Sequence, residues 1–413
     1  MTQGRTPRSS LRVLAQRNFG PYFVGNFLSN AGTWFQSIAQ SLLVYRLTGS
    51  SFMVGVVNFA QFAGVVVLSP WSGPAADRFD RKRLLIVTQL GLSIVTAVLA
   101  FLVMIGRGSV FVVIVQTLIY GLIGAFAAPA MQAIIPGLVS RDDLGAAVAM
   151  NSVTFNLARA IGPVAGALVV ARLGIAQAIW VDAVSYLLLV VALLLVHPTT
   201  SRPPRAEARP RLAESIRTVG HDPRLLILLV TVAAISISMD PVTTLTPQFA
   251  KQVFGRPDTM SGALMGAFGG GAVLASVLPY TQDHRLGRLI APMLAVMGAG
   301  LVAFGLVPSF WAGAACLAIS GFGYLAGQTR ATALLQLDVD ERQRGRVMAL
   351  WSIAFLGTRP FASLIDGGLA RLLGVRLTTV VLALPVLVAA GLVLVARERA
   401  RERGGGPGVR FAR

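Results

Sequence analysis

Six ionisable residues lie inside long apolar stretches: Arg159, Asp182, Asp240, Arg330, Arg359 and Asp366. An ionisable side chain at membrane depth is costly, so it faces a cavity or a partner. The chemistry open to each follows from its type. A guanidinium stays charged, so Arg159 and Arg359 are suited to holding an anionic group or pairing with a carboxylate, not to carrying a proton. A carboxyl gains or loses a proton according to its desolvation and the cations beside it. Asp240 is the preferred proton carrier, with a static pairing to an arginine as its alternative. Asp366 lies two turns beyond Arg359 on one helix face, about 10 Å along the axis. It is placed to gate the outer side or to carry the proton in place of Asp240. Asp182 reads as a packed acid, and Arg330 as a side chain reaching for the inner surface. No catalytic constellation is present: His197, His221 and His284 fall in loops. With Cys316 alone, no disulfide within the chain is possible, and no metal or redox site is expected.

Polar stripes accompany these charges. Asn26, Asn30, Thr33, Ser37 and Gln40 recur at helical spacing and fall within about 80° of arc at 100° per residue. Lipid cannot satisfy their hydrogen bonds, so the stripe is either the wall of a water-filled cavity or interhelical glue. Shorter stripes join Ser152, Asn156 and Arg159; Ser236, Asp240 and Thr243; and Gln328, Thr332 and Gln336. The candidate substrate-binding residues are therefore Asn26, Asn30, Thr33, Ser37, Gln40, Asn156, Arg159, Gln328 and Arg359.

The elements that must position these residues are membrane helices. The 413 residues are 55% hydrophobic and 13% charged, about half the charge of a soluble domain. The mean hydropathy is +0.71. A span takes roughly 20 apolar residues. Twelve are expected, near 19–45, 51–75, 84–106, 110–136, 146–171, 175–196, 225–250, 260–281, 289–307, 310–337, 347–371 and 377–396. Counted at ~1.5 Å per residue, Arg159 and Arg359 fall about 16–18 Å from the inner ends of their helices, near the midplane of a ~30 Å core. The chain divides into a segment 1–18, a six-helix bundle 19–196, a Pro- and Arg-rich linker 197–224, a second bundle 225–396 and a basic tail 397–413. Within the linker, 211–219 has the composition of a short surface helix or of a tether.

The net charge of +19 does not indicate nucleic acid. Most Lys and Arg fall in the termini and in loops on one side, whereas Arg46, Arg107, Arg172, Lys251, Arg256, Arg371 and Arg376 fall on the other. This positive-inside bias puts both termini in the cytoplasm, with the Arg-rich tail against anionic headgroups. The two bundles also repeat. At an offset of 200, Gly145 to Ser152 faces Gly345 to Ser352, Phe155 faces Phe355, Arg159 faces Arg359 and Gly174 faces Gly374. A weaker match at an offset of 207 relates Arg78 to Arg285 and Arg81 to Arg288. Internal repeats with binding near the midplane are characteristic of secondary transporters.

Between the second and third spans stands Gly73-Pro74-Ala75-Ala76-Asp77-Arg78-Phe79-Asp80-Arg81-Lys82-Arg83. It resembles the signature loop of the major facilitator superfamily, Gly-x-x-x-Asp-Arg-x-Gly-Arg-Arg/Lys, with Asp80 in place of the second glycine. The resemblance implies a gating role for Gly73, Asp77, Arg78 and Arg81. Gly162-Pro163-Val164-Ala165-Gly166 resembles the superfamily's antiporter motif, without its upstream glycines, and implies a helix 5 kink at Gly162, Pro163 and Gly166. The stretches Asn30 to Ser37, Asn151 to Arg159 and Gly345 to Met348 are similar to a bacterial branch that contains enterobactin and macrolide exporters. Nearly the whole chain, roughly 11–396, takes part in the likeness.

The expected fold is an all-α membrane protein of twelve transmembrane helices in two pseudo-symmetric bundles. The expected function is non-enzymatic: export of a small organic molecule (drug, siderophore or metabolite) by alternating access in exchange for protons. The alternatives are a proton-coupled importer and a lipid-handling or non-transporting membrane protein. Neither Lys82 nor Lys251 lies in a phosphate-binding loop, so no nucleotide is expected to drive it. No cofactor is expected beyond a proton gradient. The partners are the small-molecule substrate, protons and the bilayer, for a monomer in a bacterial inner membrane.

Overall fold

The computed structural model describes residues 12–140, 142–198, 222–277, 286–337, 339, 347–348 and 350–402. Most of the linker 197–224, the end of the tail, the loop residue His284, and Arg285 of the weaker repeat lie outside the described residues. Among those described there is no strand. The long helices are α1 (Phe19–Thr48), α2 (Ser51–Arg78), α3 (Arg81–Met104), α4 (Val110–Ile134), α5 (Leu144–Leu173), α6 (Ile175–Leu195), α7 (Pro223–Thr244), α8 (Ser261–Val277), α9 (Leu286–Leu306), α10 (Phe310–Leu337), α11 (359–373) and α12 (375–402).

Nine described stretches are long and apolar enough to cross a membrane, and the last, Leu350–Arg399, holds both α11 and α12. Of the other two long helices, α1 carries the polar stripe, and α8 has only 17 described residues. The architecture is the all-α membrane fold that the apolar pattern indicates.

Contacts divide the chain into two compact units, Met1–Thr48 with Ala60–Glu207, and Gly49–Phe59 with Ala208–Arg413. The first turns of α2 thus group with the second unit. In the first unit α1 packs on α5 and α6, and α3 on α4 and α6. One end of this unit is closed by an apolar cluster that includes Val13, Phe19, Tyr22, Leu85, Ile134, Leu189 and Leu193. In the second unit α10 packs on α8 and α9, and α7 on the α11–α12 pair.

The repeat is visible in the packing. In the first unit a Cβ on Gly64 would fall 2.8 Å from the Leu118 carbonyl oxygen, and one on Gly121 would overlap the Gln61 carbonyl. In the second unit Gly271 meets the Ala318 carbonyl and Gly321 the Phe268 carbonyl in the same way. Each residue on α8 stands 207 beyond its counterpart on α2, and each on α10 stands 200 beyond its counterpart on α4. These are the two offsets read from the sequence. Backbone-to-backbone contact through glycine is how membrane helices gain dispersion energy, since burial against lipid-like side chains offers no hydrophobic gain.

The joints repeat too. Gly174, between α5 and α6, has φ 103°, and Gly374, between α11 and α12, has φ 77°. Only glycine occupies such positions without strain. Gly174→Ala is expected to lower stability by about 1–3 kcal/mol, read as an earlier thermal unfolding transition in detergent with no loss of helix content. Helix starts follow local chemistry. Asp80 caps α3 by accepting from the Arg83 N–H at 2.9 Å, and Ser109 caps α4 from Val112. Asp222 caps α7 with Pro223 at the first helical position, where the missing N–H costs nothing.

Candidate functional site

In the second unit two charged residues, Arg359 and Asp366, gather around one carboxylate. Asp240, near the end of α7, is 2% exposed. Its Oδ2 accepts from Ser363 Oγ of α11 at 2.7 Å and from Thr244 Oγ1, one turn on, at 3.0 Å. Arg359, on the same face of α11 as Ser363, acts on Asp240 electrostatically. Asp366, 0% exposed, turns its carboxyl toward that of Asp240. Neither Asp366 oxygen receives a hydrogen bond from an N–H or hydroxyl donor. The sequence placed Asp366 beyond reach of Arg359 along α11. The packing of α7 against the α11–α12 pair makes Asp240 the group that both act on.

Local backbone features deliver these side chains. Pro241 lies inside α7, which ends three residues later and gives way to the turn Thr246–Gln248 and a π-helical segment Phe249–Val253. A second π-helical segment, Ile353–Gly357, precedes Arg359. Wide turns of this kind are frequent at functional sites because they re-aim side chains and release carbonyls. The Phe355 carbonyl takes a hydrogen bond from Ser236 Oγ at 2.6 Å. Arg359 stands over the Phe355 ring at 5.0 Å, and Phe355 stacks on Trp351. Asn58, in the α2 turns grouped with this unit, donates to Thr244 Oγ1 at 3.3 Å. The neighbouring Ser51 donates to Gln248, and Gly55 lies against the Ser363 carbonyl with no room for a Cβ. On α10, Gln328 is 7% exposed with neither end of its amide hydrogen-bonded. Arg330 donates to the Ala326 carbonyl of its own helix at 2.9 Å.

In the first unit the α1 stripe is tied into its neighbours. Asn26 donates to Asn151 of α5 at 2.9 Å, Asn30 donates to Asn26, and Gln40 donates to Gln116 of α4 at 2.6 Å. Thr33 contacts the Tyr186 hydroxyl of α6 at 3.2 Å. Asn30, Thr33 and Ser37 keep part of their surface open. Arg159, 7% exposed, stands over the Trp34 ring at 5.8 Å. Each of the two arginines matched in the repeat therefore faces an aromatic ring, a cation–π arrangement. Asn156 donates to the Ser152 carbonyl of its own helix. Helix α5 runs continuously through Pro163, and Gly162 and Gly166 serve as contact points for α1. A Cβ on Gly162 would fall 2.5 Å from Trp34 Cβ, and one on Gly166 would fall 2.8 Å from Ile38 Cγ2. On the opposite face of α1 a groove of about 350 Å³ opens against α6, lined by Leu28, Phe35, Trp180, Val184 and Leu188. Its walls are apolar, so it is distinct from the polar stripe.

At the signature loop, Gly73, Asp77 and Arg78 form the last turns of α2, and their side chains lie outside the described residues. Arg81 donates to the Ala133 carbonyl of α4 at 2.7 Å, and Lys82 to the Val196 carbonyl after α6 at 2.8 Å. Both cations thus satisfy C-terminal helix carbonyls that have no intrahelical donor.

The whole-chain comparison decides the family. The family described as "Transmembrane secretion effector" matches residues 8–404. The chain belongs to this family of the major facilitator superfamily. It is 25% identical to the staphyloferrin A transporter of Staphylococcus aureus, over 86% of this chain and 90% of that one. It is equally 25% identical to the enterobactin exporter EntS of Escherichia coli, over 86% of each. Its fold matches a bacterial homologue of the human lysosomal transporter Spinster with TM-score 0.73, at 14% identity, over 98% of this chain and 100% of the other. The nucleoside transporter NupG matches with TM-score 0.73 at 12% identity, over 91% and 99%. The protein is thus a multi-pass membrane transporter for a small molecule, and not an enzyme.

Sequence reasoning missed four groups that shape these sites: Ser363 and Thr244 around Asp240, and Tyr120 and Tyr186 beside Asp182. It placed Thr243 on the Asp240 face, but that hydroxyl bonds only the Asp240 carbonyl oxygen, at 2.9 Å. The spacing Asp240–Thr244–Ser363 is hidden because two of its members come from helices more than a hundred residues apart.

Proposed function

We propose that this protein exports a small organic molecule from the bacterial cytoplasm, across the inner membrane, in exchange for protons. It works by alternating access as a monomer with both termini inside. The observation that carries the reading is the buried Asp240–Asp366 pair beside Arg359. Two carboxylates facing each other in a dry site cannot both stay ionised, and one proton held between them relieves the repulsion. Such a pair is a natural proton store, and Arg359 is its internal counter-ion. When the pair, already sharing one proton, takes up a second and becomes neutral, Arg359 loses its anionic partner there and can turn to an anionic group of the cargo. Proton and cargo then compete for one arginine, which is the chemical requirement of exchange.

Arg159, Arg359, Gln328 and the half-open part of the α1 stripe (Asn30, Thr33, Ser37) are the cargo contacts in this reading. Asn26 and Gln40 act by holding helices together, Asn156 joins the cargo contacts, and Gly73, Asp77, Arg78 and Arg81 act as the latch of the inner face. The curated relatives carry names of staphyloferrin A and enterobactin, which favours an oxygen-rich, anionic siderophore over a cationic drug. Midplane arginines suit such a cargo through bidentate pairing with carboxylates.

The test is accumulation of enterobactin, staphyloferrin A and a panel of antibiotics and dyes in an efflux-deficient bacterium. Wild type and Arg359→Ala are compared at matched membrane expression, with and without a protonophore. Lower accumulation of one compound in the wild type, abolished by the protonophore and about tenfold weaker in Arg359→Ala (the loss of ~1.4 kcal/mol of binding), is expected. Higher accumulation in the wild type would establish uptake instead. No change with any soluble compound, together with movement of a fluorescent lipid, would establish lipid handling.

A further inference from the structure

The first turns of α2 rest on the second unit along one face. Ser51, Phe52, Gly55, Asn58 and Phe59 recur at helical spacing. A Cβ on Gly55 would overlap the Ser363 carbonyl of α11, and one on Gly367 would fall 2.9 Å from the Ser51 carbonyl oxygen. Phe59 meets the Phe361 ring edge-on, with centroids 6.3 Å apart. Toward α7, Ser51 donates to Gln248, and Asn58 Nδ2 donates to Thr244 Oγ1 at 3.3 Å. Thr244 in turn donates to Asp240 Oδ2 at 3.0 Å. An amide on α2 is thus two hydrogen bonds away from the buried carboxylate.

Thr244 departs from the habit of its type. Thr88, Thr117, Thr154, Thr246 and Thr379 each donate to the carbonyl four residues back, the ordinary use of a hydroxyl inside a helix. For Thr244 that carbonyl belongs to Asp240, and Thr243 donates to it instead, at 2.9 Å. Thr244 gives its one hydrogen to the carboxylate and accepts from the Asn58 amide. The two bonds run in one sense, from N–H to hydroxyl to carboxylate, so each polarises the next. Oδ2 also accepts from Ser363 at 2.7 Å. A carboxylate offers about four lone-pair sites over its two oxygens, so these two donors fill Oδ2, and an incoming proton is directed to Oδ1.

We infer that Asn58 is a positioning residue of the proton site: it holds the Thr244 hydroxyl on Asp240 Oδ2 and so keeps Oδ1 as the atom that binds the proton. On uptake a proton joins a lone pair of Oδ1 and forms an O–H bond. Oδ2 becomes the carbonyl oxygen and keeps both donors. Release breaks the same O–H bond and restores the carboxylate, and no other reactant takes part. Without the Asn58 amide the Thr244 hydroxyl turns back toward the helix carbonyls, and Oδ2 loses one of these two donors. The inference rests on the reading of Asp240 as a proton carrier.

Infrared difference spectroscopy between alkaline and acidic buffer, on the full chain purified into lipid nanodiscs, tests this without cargo or gradient. The C=O band of neutral Asp240 is assigned by its loss in Asp240→Asn. Each hydrogen bond that a carbonyl accepts lowers its stretching frequency, so Thr244→Val should move the band to higher frequency. Asn58→Leu should move it the same way and by less, because the Thr244 hydroxyl is still present. Added to Thr244→Val, Asn58→Leu should cause no further shift, since its effect passes through that hydroxyl. Asn58→Ala leaves space where leucine adds bulk, and it gives the same readout if Asn58→Leu fails to fold. A purely structural role for Asn58 would lower thermal stability and leave the band in place. A wild-type band position in both Asn58 variants would therefore overturn the inference, and so would an equal shift with and without the Thr244 hydroxyl. A band that is present but ignores Asn58 sinks this inference alone. The absence of any Asp240 band in acid would instead sink the exchange reading at this carboxyl, and the inference with it.

Discussion

Asp240→Asn and Asp366→Asn are each expected to leave the transporter folded and to abolish concentrative export. Asparagine keeps an acceptor for Ser363 and Thr244, whose hydrogen bonds to Asp240 measure 2.7 and 3.0 Å. It cannot take up or release the proton. Asp366→Asn also removes one of two facing carboxylates and can donate to Asp240, an oxygen pair that otherwise has no donor between its members. The pair would then be fixed in one state. The gradient-driven concentration ratio should fall about 5–150-fold, the span of a coupling free energy of about 1–3 kcal/mol. Exchange of labelled for unlabelled cargo across a vesicle needs no net proton movement, and both variants should retain it. That split, with concentration lost and exchange kept, separates a proton carrier from a residue that merely holds α7 to α11. A static pairing role for Asp240 would weaken both activities together, and would lower thermal stability as well.

The largest structural effect is expected at the glycine contacts of the repeat. In Gly321→Val the new Cβ would overlap the Phe268 carbonyl oxygen and fall 2.7 Å from its carbon. The obstacle is backbone, so no side chain can move aside. Overpacking of a dense interior costs about 1–3 kcal/mol, more when a main chain must shift. Here α8 and α10 would have to separate. Gly121→Val should do the same in the first unit, against the Gln61 carbonyl. Both variants should express poorly and unfold at lower temperature in detergent. Gly270→Ala is the control: nothing lies within 4 Å of its Cβ position, and the change should stay within about 0.5 kcal/mol. Equal behaviour of Gly270→Ala and Gly321→Val would contradict the close-contact account.

Much of this was legible in the residues. Lipid admits only apolar helical surfaces, so the spans declare themselves, and α1 is recognised in spite of its stripe because the polar groups share one face. The offsets of 200 and 207 were visible at Arg159, Gly174 and the signature loop. They become packing in the glycine contacts: Gly64 and Gly121 meet the Leu118 and Gln61 carbonyls, and Gly271 and Gly321 meet the carbonyls of the equivalent residues Ala318 and Phe268. Asp240 and Arg359 stood out because charge is conspicuous in an apolar run. Which carboxyl meets which was hidden. Asp366 reaches Asp240 through a helix crossing, and nothing in the spacing along α11 encodes that crossing. The face containing Asp240 was also blurred at Pro241, where the helix nears its end, so Thr243 was read in place of Thr244. Tyr120 and Tyr186 gave no signal. A tyrosine in an apolar helix reads as packing until its hydroxyl is found beside another polar group. The α1 stripe shows the same limit, since Asn26 and Gln40 look alike whether they face water or Asn151 and Gln116.

The central claim is that the Asp240–Asp366 pair couples cargo to protons. Its most direct measurement uses inside-out vesicles loaded with the compound identified in the accumulation panel, under an imposed pH gradient that is then reversed. Wild-type transport is predicted to reverse direction with the gradient. The Asp240→Asn/Asp366→Asn variant is predicted to move cargo only down its own concentration gradient, whatever the pH on either side. Transport by that variant that still follows the pH gradient, or wild-type transport that ignores it, would contradict the account.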